Sequence, residues 1–190
     1  TYLPGCSPIS IPYNYMVKRL YFIRHGESTF NANHAWNGSS DMPLTPKGRE
    51  QAKEAGRKAR EAGLVFDVII SSPLSRALDT AKLVASELDY PHDHILLSDQ
   101  FVERAFGKLE GRRDLVAGTK YFIDESAIDP YDGVERLADL QKRMDDFLEY
   151  VQSLPHDTIL VVGHGGSGRA LRRVIRQEPL GKRGKSLGNA

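Results

Sequence analysis

Lys18-Arg19-Leu20-Tyr21-Phe22-Ile23-Arg24-His25-Gly26 decides the fold, because an apolar run here leads into two basic side chains and a glycine. The run at 18–23 predicts a β-strand, and the carboxyl ends of strands are where open α/β sheets bind ligands. A histidine at that point can be a general base, a metal ligand, a nucleophile that accepts a phosphoryl group, or an ordinary loop residue. Arg24 favours phosphate, because a guanidinium is always charged and forks onto phosphate oxygens. Gly26 would let the backbone turn sharply beside a bound anion.

The rest of the chain alternates strands with helices. Further strands are predicted at 66–71, 94–98 and 158–162, and helices from Thr45 to a stop at Gly63, from Ser72, at 134–154 and from about Gly166. The strands at 66–71 and 158–162 are near-continuous apolar runs, which is typical of buried parallel strands. The alternation predicts an α/β protein, a three-layer α/β/α sandwich with a mainly parallel central sheet.

Composition excludes several classes of function. The 190 residues carry 26 basic and 25 acidic side chains, so no overall basic surface indicates nucleic acid as a partner. The single cysteine, Cys6, allows neither an internal disulfide nor a cysteine-based zinc site. No apolar run is long enough for a membrane span and no secretory leader is recognisable, which predicts a cytoplasmic protein without a membrane partner. The sequence carries no signal for the oligomeric state.

We expect residues 16–190 to form a single catalytic domain. Residues 1–15 have a different composition, with three prolines and no charged side chain, and Met16 resembles a natural start. We interpret 1–15 as a leader or a cloning remnant, and the alternative is an irregular native arm.

Two more strand ends carry polar side chains. Arg76 follows the strand at 66–71 and lies in the first turn of a helix, where the helix dipole disfavours a cation unless an anion binds between them. A surface arginine is the alternative. After the strand at 158–162, His164 lies among glycines whose N–H groups can point at an oxyanion. Two histidines beside glycine at two strand ends are hard to explain by core packing.

A carboxyl group and an amide complete the candidate site. Glu103 lies in a segment rich in glycine and charge, and a carboxyl near a phosphate can protonate a leaving oxygen and then deprotonate water. Glu110 is a weaker candidate for that role, and Glu27 is expected to be structural. Asn31 can donate a hydrogen bond to a phosphate oxygen, although a lone asparagine is more often a turn residue.

Five segments, in order along the chain, carry a family resemblance: Arg24-His25-Gly26-Glu27-Ser28-Thr29-Phe30-Asn31, Pro43-Leu44-Thr45-Pro46-Lys47-Gly48, Ser71-Ser72-Pro73-Leu74-Ser75-Arg76-Ala77, Glu103 with Phe106-Gly107 and Leu109-Glu110-Gly111, and Gly163-His164-Gly165-Gly166. From about residue 18 to 190 the chain resembles the histidine phosphatase superfamily, the clan of cofactor-dependent phosphoglycerate mutases and related phosphatases. Each segment alone is a weak signal, and the combination is highly specific.

The resemblance implies that His25 is the nucleophile and becomes phosphohistidine, and that Glu103 donates a proton to the leaving group. It implies that four side chains hold the phosphoryl oxygens: Arg24, Asn31, Arg76 and His164. It further implies a metal-independent phosphoric monoester hydrolase of the histidine acid phosphatase type, with no cofactor and with a small phosphorylated metabolite or a phosphoprotein as substrate. A neutral His25 beside a charged His164 would need opposite pKa shifts.

Departures from the family pattern narrow these expectations. Mutases carry a long insertion after the acid residue, and the interval 111–129 is too short for it, which favours a phosphatase. Phosphoglycerate mutase is the runner-up, and a non-enzymatic phosphate-binding scaffold is the alternative from another class. Gly133-Val134-Glu135 stands where relatives show Gly-Glu-Ser, so no role is carried onto Glu135. The chain ends at 187–190, where relatives begin a last strand, so we expect that strand to be cut off or absent and a sheet edge to be exposed.

Overall fold

A computed structural model describes residues 7–9, 18–113 and 133–178. The strands in this part of the chain are β1 (Ser7–Ile9), β2 (Arg19–Arg24), β3 (Val68–Ser71), β4 (Leu96–Leu97) and β5 (Thr158–Gly163). The α-helices are α1 (Thr29–Ala32), α2 (Pro46–Glu61), α3 (Ser75–Glu87), α4 (Leu137–Ser153) and α5 (Gly165–Arg176). Short 3-10 turns cover His92–His94, Asp99–Phe101 and Gly107–Leu109. None of the helices in the described ranges is both long and apolar enough to cross a membrane.

The strands form one sheet in the order β1-β2-β5-β3-β4, in which β1 is antiparallel and the other four are parallel. The parallel strands align their carboxyl ends, because Arg24 pairs with Gly163 and Ser71 pairs with Val162. The residues that directly follow β2, β5 and β3 therefore emerge beside one another at one edge of the sheet. These residues are His25, His164 and Ser72.

Both faces of the sheet are covered, because side chains along each strand point alternately into two cores. In β5, Ile159 and Val161 belong to one core, and Leu160 and Val162 belong to the other. The first core is completed by side chains of α4 and α5, including Met144, Phe147 and Leu171. The second is completed by side chains of α2 and α3, including Ala59, Ala81 and Val84. This arrangement confirms the predicted three-layer sandwich with a mainly parallel sheet.

The predicted elements are present, with differences at their ends. Helix α3 begins at Ser75 rather than at Ser72, because the Ser72 amide still donates to the Val162 carbonyl (3.1 Å) and prolongs the pairing with β5. The strand expected at 94–98 is reduced to β4, since the turn at His92–His94 occupies its start. The short elements β1 and α1 were not predicted.

Some sequence-based expectations concern residues outside the described ranges. They are the missing last strand near 187–190 and most of the short interval 111–129. The interpretation of 1–15 as a leader or a cloning remnant stays a prediction, although Ser7–Ile9 within it pairs with β2.

A buried lysine joins the start of β2 to the end of α4. Lys18 is only 3% exposed, and its Nζ donates to the Val151 carbonyl (3.1 Å) and to the Leu154 carbonyl. The last carbonyls of a helix have no partner within the helix, and a cation at this end also interacts favourably with the helix dipole. Lys18 therefore closes α4 against the sheet.

We predict that Lys18→Met lowers the free energy of unfolding by about 1–3 kcal/mol, because it leaves a buried carbonyl of α4 without its donor. The matched control is Lys142→Met on the same helix, where the lysine is exposed and paired with Asp146. An exposed pair of this kind contributes at most about 1 kcal/mol. Urea unfolding of the three proteins measures both effects, and equal losses would contradict the role of Lys18.

Candidate active site

His25 lies directly after β2 and is 2% exposed. Its backbone N–H donates to the Gly163 carbonyl (2.9 Å), which extends the pairing of β2 with β5 by one residue. Its Nδ1 lies 2.7 Å from the Gly26 carbonyl oxygen. A carbonyl oxygen only accepts hydrogen bonds, so Nδ1 carries the ring proton and Nε2 carries the lone pair. The backbone thereby fixes the tautomer in which Nε2 can act as a nucleophile.

His164 faces His25 from the next strand. The two ring centroids are 5.1 Å apart, and the planes are inclined by 60°. His164 Nε2 lies 2.8 Å from the Ser72 hydroxyl, so residues after three strands meet here. His164 Nδ1 is buried and has no hydrogen-bond partner among the described residues. This nitrogen is a polar group that a bound ligand could satisfy.

The pKa of each histidine is lowered from its ordinary value. Burial lowers the pKa of His25 to about 3, with Arg76 and then Arg24 adding to the effect and the Gly26 carbonyl opposing it. Burial, followed by Arg76, lowers the pKa of His164 well below its ordinary value. The expectation of opposite shifts is therefore wrong, because burial and the same two arginines act on both rings. A neutral His25 is the state that nucleophilic attack requires.

Arg76 is fully buried at the start of α3. Its two terminal nitrogens donate to backbone carbonyls, Nη1 to Ser40 (2.6 Å) and Nη2 to Gly38 (2.7 Å). Its Nε is buried and makes no hydrogen bond within the described part of the chain. Burial lowers the pKa of Arg76, and Glu103 is the leading group that raises it. The loop carbonyls thus orient a guanidinium that still has an unsatisfied donor.

Glu110 holds the loop that supplies those carbonyls. Its carboxylate accepts hydrogen bonds from the backbone N–H groups of Ser39 (2.9 Å), Ser40 (2.7 Å) and Phe106 (2.9 Å). The hydroxyls of Ser39 and Ser40 also donate to it. Burial raises the pKa of Glu110, but these hydrogen bonds outweigh it and the net change is downward. This geometry gives Glu110 a structural role and leaves Glu103 as the candidate acid.

Glu103 lies against the first turn of α5. Its carboxylate accepts from the backbone N–H groups of Gly166 (2.8 Å), Ser167 (3.0 Å) and Arg104 (2.8 Å). The anion that the glycine-rich start of α5 holds is therefore the Glu103 carboxylate. The same carboxylate raises the pKa of Arg24, which burial lowers. Glu103 thus lies within electrostatic reach of the arginines that flank His25.

A clamp that the sequence did not reveal holds the Glu103 segment. Arg143 of α4 donates to the carbonyls of Gln100 (2.6 Å) and Val102 (2.9 Å). Its Nε and Nη2 donate hydrogen bonds to the two oxygens of the Glu135 carboxylate, at 3.0 and 2.8 Å. The Glu135 N–H in turn donates to the Ala105 carbonyl (3.0 Å). Glu135 and Arg143 therefore fix the backbone on both sides of Glu103, and only their eight-residue spacing could have indicated it.

Gly26 is needed for a reason that the sequence did not show. A Cβ at Gly26 would lie 2.2 Å from the Gly48 carbonyl oxygen, and one at Gly48 would lie 2.1 Å from the Glu27 carbonyl oxygen. The Glu27 carboxylate also accepts from the Thr45 hydroxyl (2.9 Å) and pairs with Lys47 (2.9 Å). The two glycines let the start of α2 pack directly on the backbone after β2, and Glu27 has the structural role expected of it.

Asn31 lies in the short helix α1. Hydrogen bonds link it through Ser28 to the loop whose carbonyls orient Arg76. Its Oδ1 accepts from the Ser28 N–H (3.1 Å) and hydroxyl (3.0 Å), which caps α1. Asn37 Nδ2 donates to the same hydroxyl (2.8 Å), and the next residue is Gly38, whose carbonyl orients Arg76. The remaining group of the Asn31 amide is its NH₂ donor. Contact between that donor and a phosphoryl oxygen stays a prediction.

Known proteins resemble this chain over most of its length. Residues 20–188 match the family model of the histidine phosphatase superfamily (branch 1). The uncharacterized phosphatase PhoE of Bacillus subtilis is 35% identical over 150 residues, which cover 78% of this chain and 72% of that protein. The 2,3-bisphosphoglycerate-dependent phosphoglycerate mutase of Brucella canis is 34% identical over 165 residues, which cover 82% and 80%. The structure of a phosphoserine phosphatase mutant from Entamoeba histolytica, in complex with phosphoserine, matches with a TM-score of 0.68 at 29% identity, covering 83% of this chain and 79% of that one.

The lowered pKa of His25 predicts a pH dependence of stability. Unfolding raises this pKa from about 3 to the ordinary value, so between the two values the unfolded chain binds a proton that the folded protein does not. Stability therefore falls as the pH decreases from about 6 to about 4, and His25 contributes up to about 1.4 kcal/mol per pH unit to that slope. His25→Asn should flatten the slope in urea unfolding, whereas His92→Asn, at an exposed site, serves as the control. An unchanged slope in His25→Asn would contradict the assignment.

Proposed function

The chain belongs to the histidine phosphatase superfamily, and we propose that it is a metal-independent phosphomonoesterase that works through a phosphohistidine at His25. Its substrate would be a small phosphorylated metabolite or a phosphoprotein. The observation that carries the proposal is the Nδ1 contact of His25 with the Gly26 carbonyl (2.7 Å), which leaves Nε2 as the nucleophilic nitrogen. The solved relative with phosphoserine bound supports a small phosphorylated substrate.

In the first step, His25 Nε2 attacks phosphorus while the ester P–O bond breaks. The ring becomes positively charged, and its Nδ1–H stays hydrogen-bonded to the Gly26 carbonyl. Arg24 and Arg76 balance the negative charge of the transferring oxygens, which is the main requirement for catalysis of phosphoryl transfer. The Glu103 carboxyl group, protonated in the ester complex, donates its proton to the departing oxygen, so the alcohol leaves neutral.

In the second step, water takes the place of the alcohol. Glu103, now a carboxylate, accepts a proton from water as the water oxygen attacks phosphorus and the P–N bond breaks. The electron pair returns to His25 Nε2, and inorganic phosphate leaves. Both side chains return to their initial protonation states, so the cycle consumes only ester and water.

Phosphoglycerate mutase is the second candidate, because a mutase and a phosphatase resemble this chain to nearly the same degree. The short interval 111–129 supports the phosphatase, since it has no room for the insertion that mutases carry. Incubation with 3-phosphoglycerate and a bisphosphorylated primer separates the two, because only a mutase forms 2-phosphoglycerate. A protein that binds phosphate without turnover would instead be the non-enzymatic scaffold.

The proposal predicts turnover of p-nitrophenyl phosphate in EDTA, and its loss in His25→Ala. Without the nucleophile the rate should fall by more than about 1,000-fold. Rapid quenching of the wild-type reaction should trap the transferred phosphoryl group on the protein. Its P–N bond should be labile in acid and stable in base, as in a phosphoramidate. Full activity of His25→Ala, or dependence on added metal, would refute the proposed mechanism.

The role of Glu103 predicts a leaving-group effect in Glu103→Gln. An alkyl oxygen leaves poorly and needs the proton, whereas a nitrophenolate leaves readily without it. The variant should therefore slow kcat about 10²-fold or more for alkyl phosphates and much less for p-nitrophenyl phosphate, in a regime where the first step limits the rate. Glu110→Gln is the comparison variant. An equal loss of kcat for the alkyl and the p-nitrophenyl ester in Glu103→Gln would argue against an acid at position 103.

A further inference from the structure

Ser72 is a buried serine at the edge of the sheet that the mechanism above does not use. It follows β3 directly, and its backbone N–H donates to the Val162 carbonyl (3.1 Å). Its hydroxyl oxygen accepts a hydrogen bond from the Leu74 N–H (3.3 Å) and lies 2.8 Å from His164 Nε2. The hydroxyl therefore joins the residue after β3 to the residue after β5.

The direction of the hydrogen bond between Ser72 and His164 follows from the partners of each group. The Ser72 oxygen already accepts from Leu74, and among the described residues His164 Nε2 is the acceptor for the hydroxyl proton. The opposite direction would leave two buried groups unsatisfied, the hydroxyl proton and the Nδ1 lone pair of His164, whereas this direction leaves one. Burial lowers the pKa of His164, so the neutral ring has one proton, and that proton lies on Nδ1.

The two histidines thus hold the same tautomer and present opposite groups. The Nδ1–H of His25 is taken up by the Gly26 carbonyl (2.7 Å), which leaves the Nε2 lone pair. The Nε2 of His164 is taken up by Ser72, which leaves a buried Nδ1–H without a partner in the described part of the chain. The ring centroids are 5.1 Å apart, so a phosphoryl group at His25 Nε2 would bring oxygen acceptors beside the ring that needs one.

We propose that Ser72 is a positioning residue, whose hydroxyl proton holds His164 in the tautomer that donates its Nδ1–H to an oxygen of the phosphoryl group. The inference rests on the proposed function, which supplies the phosphoryl oxygen. The other tautomer would present a lone pair to that oxygen, and two acceptors form no hydrogen bond. The affinity for phosphate should therefore scale with the fraction of molecules whose His164 carries the proton on Nδ1.

The tautomer can be read from long-range proton–nitrogen NMR correlations, because a ring nitrogen with a proton resonates far from one without it. The spectra are recorded at about pH 8, above the ordinary pKa of histidine, and the His164 signals are those that vanish in His164→Gln. We expect the proton on Nδ1 in the wild type, and a second form with the proton on Nε2 in Ser72→Ala. Ser71→Ala is the matched control, because the buried Ser71 hydroxyl donates to the Ser72 carbonyl (2.9 Å) and not to His164.

Calorimetric titration with inorganic phosphate measures the consequence for binding. If one fifth of the Ser72→Ala molecules keep the proton on Nδ1, the phosphate affinity should fall about fivefold, and any other population predicts its own loss in the same way. Ser71→Ala should keep both the wild-type tautomer and the wild-type affinity. This match between two independent measurements would not arise from a general loss of structure.

Three results would overturn the role of Ser72. They are a wild-type His164 with its proton on Nε2, an unchanged tautomer in Ser72→Ala, and a loss of phosphate affinity that does not match the measured population. Neither measurement requires turnover. The proposed phosphatase activity is therefore tested separately, by aryl phosphate hydrolysis and its loss in His25→Ala.

Discussion

The parallel pairing of β2 with β5 is the constraint on which the site depends. The register that sets Arg24 beside Gly163 also sets His25 beside His164, and β3 adds Ser72 in the same row. A shift of one residue would exchange the side chains that these strands direct into the two cores, and each core is packed for its own set. The two hydrophobic cores therefore fix the register of β2 and β5, and this register places the rings of His25 and His164 in contact.

Burial of charge is the second physical theme of the site. Arginines and histidines are buried together here, and each imidazole keeps its lone pair because burial, and then the nearby guanidinium groups, make protonation unfavourable. The arginines cannot lose their protons and must instead be matched by oxygens. Backbone carbonyls do this for Arg76, and Glu103 does it at longer range for several others. A negatively charged substrate would complete the balance.

The sequence predicted those site residues that follow a strand beside glycine, and the layered fold that unites them. His25, His164 and Arg76 each had such a local signal, and the structure brings them together. Glu135 and Arg143 had no signal beyond their spacing, because hydrogen bonds between a loop and a helix depend on tertiary contacts that no short pattern encodes. Gly26 was singled out for a turn beside a bound anion, which stays a prediction, and the structure adds a second reason, the close approach of the backbone at Gly48.

Helix α5 carries more than one function on a single rigid element. It begins directly after His164, and backbone N–H groups of its first turn hold the Glu103 carboxylate. Any displacement of α5 would move His164 and the Glu103 carboxylate together, so the two candidate site residues keep one relative position.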